Sequence, residues 1–110
     1  NRLKRNTMKE HIFKQYLENI LNYLDISVEE LFEKTKKDEI VKPRQMLFYL
    51  CSVKSNMGQK EISGYLKKIN QDVPQEIIHY GITTFKKLIE EDKDYVYIID
   101  KLSKINHDVE

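Results

Sequence analysis

Apolar residues in this chain recur at intervals of three and four, and only three glycines and two prolines punctuate its 110 residues. That spacing gathers side chains on one face of an α-helix, so the expected fold class is all-α, with no strand required. Ile12, Phe13, Tyr16, Leu17, Ile20, Leu21 and Leu24 make the first stripe, on a helix from about Thr7 to Leu24 behind a linker or disordered arm expected at residues 1–6. The stripe stops at Asp25-Ile26. Ser27 followed by Glu30 has capping-box spacing and opens a short helix through Phe32, whose carbonyl end suits the cations of Lys34 to Lys37.

Val41, Leu47, Leu50 and Cys51 lie at core spacing on the next helix, which should end near Ser55-Asn56. Proline is tolerated in a first turn, where its missing N–H would be unpaired anyway, so Pro43 puts Arg44 near this helix's amino end. A brief helix, Gln59 to Leu66, follows Gly58, and Lys67 to Val73 reads as a polar connection. From Pro74, the positions of Ile78, Ile82, Phe85, Leu88 and Ile89 mark a long helix to about Glu91. A last one, Tyr95 to Ile105, should turn Val96, Ile99 and Leu102 inward. Six helices, a short one abutting a long one, make a helix-turn-helix arrangement, and the length suits one domain.

The net charge of +1 conceals an uneven distribution. Residues 34–68 hold nine Lys or Arg against three Asp or Glu, whereas 69–110 hold five against nine. A basic middle between acidic flanks can build one cationic face, although lysines also serve simply to keep a helix surface soluble. Cys51, alone, cannot form an internal disulfide and reads as a core residue. No apolar run approaches bilayer length and the amino end lacks a signal-peptide core, which makes the cytoplasm the expected compartment. His11, His79 and His107 are not joined by other ligands at metal spacing, and neither a phosphate loop nor a GxSxG elbow occurs. Glu90-Glu91-Asp92 and Asp94 read as a solvated cluster. No enzyme, cofactor or metal is expected. Tyr16 sits in the first stripe, and Tyr23, Tyr49 and Tyr65 fall near faces that should pack.

With the helices placed, the chain resembles the C-terminal duplex-DNA-binding domain of the bacterial replication initiator DnaA, a Trp-repressor-like helical fold. Val41-Lys42-Pro43-Arg44-Gln45-Met46 looks like that family's V-x-x-P-R-Q-M segment, and Ile26 to Leu31 like its short second helix. Glu61-Ile62 falls where the family has E-I-G, and Ile78 to Phe85 resembles its recognition-helix skeleton, with Gly81 at the small position. The resemblance implies that Arg44 enters the minor groove and that Gln75, Glu76, His79 and Thr83 face the major groove. Gln45 joins this set, and Lys42, Lys54, Lys60, Lys67 and Lys68 would hold phosphates. A surface pairing of Arg44 with Asp38 or Glu39 is the competing reading of that cation. The family's base-touching residues fall on Pro74-Gln75-Glu76-Ile77 in one register and on His79-Tyr80-Gly81-Ile82 in another. The first is preferred because it keeps Gly81 small and Phe85 inward. The implied partners are double-stranded DNA and other replication proteins, with no membrane, and the isolated domain is expected as a monomer. The alternative is a protein-interaction module that keeps the scaffold but has lost DNA readout.

Overall fold

The computed structural model describes residues 2–105, with side chains from Met8 onward; Asn1 and residues 106–110, His107 among them, lie outside the described residues. Among the described residues the chain forms six α-helices and no strand: α1 (Arg2–Leu24), α2 (Val28–Leu31), α3 (Asp38–Tyr49), α4 (Gln59–Lys68), α5 (Gln75–Glu91) and α6 (Asp94–Leu102). α1 begins at Arg2, ahead of the start its apolar stripe marks. The Ser27–Glu30 capping box forms as expected, with Ser27 N–H donating to Glu30 Oε1 at 3.0 Å and Glu30 N–H to Ser27 Oγ at 3.1 Å.

Two features of the third helix differ from the expectation. It starts at Asp38, so Pro43 lies beyond the first turn and Arg44 is not at the amino end. Asp38 and Glu39 explain the early start, because carboxylates in a first turn favour the macrodipole. Pro43 then leaves the exposed Glu39 carbonyl without its in-helix donor. The helix also does not run regularly to Ser55: after Tyr49 it relaxes into a π-helical turn, Leu50–Lys54. This turn closes on left-handed Asn56 (φ 53°), and Met57 N–H donates to Cys51 O at 3.0 Å.

α5 packs chiefly on α3 and secondarily on α4. Gly81 sets its approach to α3: a β-carbon there would stand 3.0 Å from Phe48 Cδ2 and 3.2 Å from Gln45 Cγ. Ile62, Leu66, Ile78 and Phe85 are fully buried between these elements. Phe85 also lies between Tyr49 (5.3 Å between centroids) and Tyr95 (5.6 Å), joining α3, α5 and α6. Across the domain, Asn19 Nδ2 on α1 donates to the carbonyls of Leu102 (3.0 Å) and Lys104 (2.9 Å), satisfying the end of α6. That helix stops at Leu102, and Val96, expected inward, is exposed because Tyr95, Ile98, Ile99 and Leu102 form the packed face. Tyr23 is likewise exposed, beneath the Lys101 ammonium, whereas Tyr49 and Tyr65 stack on core rings.

Candidate nucleic-acid interface

α4 begins at Gly58, whose N–H donates to Glu61 Oε1 at 3.0 Å. The same carboxylate receives Lys9 Nζ at 3.2 Å, so one acid fixes the start of α4 and ties it to α1. Its pKa lies below the ordinary carboxylate value, first through the Gly58 N–H and then through Lys9. Phe13 stacks on Tyr65 (5.6 Å), and Lys68 reaches Glu10 at 3.0 Å, completing the brace between α1 and α4. α4 ends in a Schellman motif: Asn70 is left-handed (φ 63°), Asn70 N–H donates to Lys67 O and Gln71 N–H to Leu66 O. Residues 69–74 then turn the chain into α5.

Burying Ile78, Gly81, Ile82 and Phe85 leaves the opposite side of α5 to solvent. At 3.6 residues per turn, its centre is formed by Glu76, Tyr80, Thr83 and Lys87, all exposed. His79 and Lys86 flank it on one edge, Ile77 and Thr84 on the other. Gln59 Nε2 lies 2.8 Å from His79 Nδ1, so the first residue of α4 orients the imidazole. Lys60 and Lys67 share one exposed face of α4, two turns apart, and Lys54 is exposed at the end of the π-helical turn.

The expected contact residues therefore fall into distinct environments. Gln75, Glu76, His79 and Thr83 are together on the exposed side of α5, with Gln75 and Glu76 at its amino end. Lys54, Lys60 and Lys67 are exposed. Lys68 is held by Glu10, and Lys42 lies 3.8 Å from Asp38 with its ammonium 5.7 Å from the Tyr95 ring. Gln45 is buried, because it packs against Gly81 where α3 and α5 touch. Lys87 has no place in either register and Tyr80 only in the second, although the helical period counted from Ile78 and Phe85 places both opposite the core.

Arg44 is the most unusual of these residues. Its Nη2 donates to the Thr35 carbonyl at 3.1 Å rather than pairing with Asp38 or Glu39. Among the described residues, its Nε is the one buried side-chain nitrogen or oxygen without a hydrogen-bond partner. Burial pulls the guanidinium pKa below its ordinary value. An unmade buried donor costs about 1–3 kcal/mol, so this side chain gains from any acceptor that reaches it. It borders a cleft of about 450 Å³ between α3 and the start of α5.

Cys51 is fully buried and its thiol pKa is strongly raised by desolvation, which suits packing and not nucleophilic chemistry. No helix among the described residues is long and apolar enough to cross a membrane. Among the described residues, no three His, Cys, Asp or Glu side chains come together in a way that could hold a metal ion.

A short helix braced from behind, a six-residue turn and a longer helix with one solvent-facing side define a helix-turn-helix domain of the DNA-binding class. The chain belongs to the bacterial dnaA protein helix-turn-helix family, whose model matches residues 14–71. The matched stretch takes in α2, α3, the π-helical turn and α4, while α5 lies beyond it. No solved structure matches the chain.

Proposed function

We propose that the domain binds duplex DNA, with α5 in the major groove and Arg44 directed to the minor groove, in replication initiation or its regulation. The observation that carries this is the exposed side of α5: Glu76, His79, Tyr80, Thr83 and Lys87 are free of the core while α3 and α4 hold the helix from behind. Lys60 and Lys67 on α4, with Lys54 beside them in sequence, supply cations for phosphates. Membership of the family supports a DNA partner, and the cytoplasmic nucleoid is the setting this reading implies. The isolated domain acts as a monomer in this reading.

Duplex binding measured against salt is the test. Affinity should fall with a log–log slope of about −0.9 per phosphate neutralised, and Arg44→Ala should weaken it by about 1–3 kcal/mol. A second reading, a protein-interaction module on the same scaffold, draws on exposed Ile77 and Tyr80 beside Glu76 at the start of α5 and on Glu90 and Glu91 at its far end, an unusual composition for a DNA-facing helix. Absence of retention on any duplex at low salt would leave that reading in place of the first.

A further inference from the structure

We propose that the cleft between α3 and the start of α5 is a binding site for a small apolar carboxylate. Its walls are apolar: Val41 and Phe48 from α3, Val73 from the turn, and Ile77 and Tyr80 from α5. The charged residues on its lining are Arg44 and Lys36, with no acid among them. At about 450 Å³ it falls inside the range of roughly 300–1,000 Å³ typical of small-ligand sites, which pair apolar walls with a few polar groups.

Two other grooves among the described residues do not share this pattern. The adjoining one, bordered by Lys42 and Lys87, also carries Asp38 and Glu91, so its charges are already balanced. The groove beside α2 carries Glu30, Glu33 and Glu39 against Lys37. Only the Arg44 cleft, of these three, offers cations without carboxylates next to a continuous apolar wall.

The chemistry of Arg44 selects the charged end of the ligand. A guanidinium matches a planar carboxylate through parallel N–H donors, and here, among the described residues, Nε–H has no acceptor while Nη2 donates to the Thr35 carbonyl. Nε is covered in the free protein, so a small rotation of the side chain toward the cleft accompanies binding. The apolar walls select the rest: an aryl or branched alkyl group of about a dozen heavy atoms fits the space and covers Ile77 and Tyr80, which are 52% and 64% exposed. Inorganic phosphate would meet the cations but leave those walls in water.

A titration of the whole chain with 3-phenylpropionate, followed by two-dimensional NMR of the Arg44 Nε–H and the Ile77 and Val73 methyls, tests the site without DNA. Success or failure here is therefore independent of the duplex-binding reading. Saturable shifts at all three residues are expected, with no such shifts from 3-phenylpropionamide or from inorganic phosphate. Arg44→Gln should weaken the acid by about tenfold or more, as loss of a charge-assisted bond does. Where that variant fails to fold, the comparison of acid with amide on the unmodified chain decides. The proposal is overturned if the cleft residues do not move, if the amide binds as well as the acid, or if phosphate gives the same shifts. On the duplex-binding reading, acid and DNA compete for Arg44, so the acid and not the amide should weaken a bound duplex.

Discussion

Gly81→Ala probes the contact that sets the distance between α3 and α5. In an isolated helix the change would help, because glycine in a helix interior costs about 0.5–1 kcal/mol relative to alanine. Here the new β-carbon would stand 3.0 Å from Phe48 Cδ2 and 3.2 Å from Gln45 Cγ. Both neighbours are buried, Phe48 2% exposed and Gln45 8%. Forcing a methyl into a packed contact costs about 1–3 kcal/mol, so overpacking outweighs propensity and the net loss should be about 0.5–2 kcal/mol. At about 4–8 °C per kcal/mol for a domain of roughly this size, Tm falls by several degrees. Urea denaturation should show a lower midpoint with an unchanged m-value. The cost should shrink in a Phe48→Leu background, where the ring edge is gone, and the double-mutant cycle isolates that coupling. A Gly81→Ala protein that melts higher than the parent, or that loses the same free energy in both backgrounds, would refute the packing account.

Three further outcomes are expected. Glu10→Gln releases Lys68 from its 3.0 Å ion pair, so duplex binding should tighten and its log–log salt slope steepen by about 0.9; an unchanged slope means Lys68 does not reach phosphate. Glu61 has its pKa lowered from the ordinary 4.5, so its contribution to stability is complete above that value and is lost as pH falls through the lower folded-state pKa. Glu61→Gln should therefore melt lower than the parent at pH 7, with the two curves converging in acid; a gap that persists there removes the charge from the explanation. Glu76→Thr gives up a favourable first-turn carboxylate, costing a few tenths to about 1 kcal/mol, but should tighten binding to a random duplex at fixed salt by removing repulsion. Equal affinity would place Glu76 away from DNA.

The core of the helix-turn-helix was legible because its period is local. Ile78, Ile82 and Phe85 announce their buried face by spacing alone, as Ser27 and Glu30 announce a cap. Val96 and Tyr23 were misplaced for a related reason: an apolar residue at the margin of a stripe packs only if a neighbouring helix covers that margin. Pro43 suggested a helix start, but the acids five and four residues before it had already begun one. The π-helical turn gives no compositional signal. On the interface, the exposed side of α5 could be counted from its core, whereas the partners of Arg44 and Lys68 could not. Thr35 contributes a backbone carbonyl, which every residue has, and Glu10 lies 58 positions from Lys68.

The clasp from Asn19 to the carbonyls of Leu102 and Lys104 spans 83 and 85 positions, whereas neighbouring helices of the chain meet across short connections. Closing so large a loop costs more chain entropy than any hairpin of adjacent helices, which sets an order of events. The α3–α5 pair and the α4 turn can assemble first, and α1 fastens to α6 once both are in place. Interactions made after the rate-limiting barrier govern how fast a protein comes apart and not how fast it forms. Asn19→Ala should therefore raise the unfolding rate in stopped-flow chevrons and leave the refolding limb in place, and a slowed refolding limb would put the clasp in the nucleus instead. On this account the bond between the first and last helices acts as a latch on the lifetime of the folded domain.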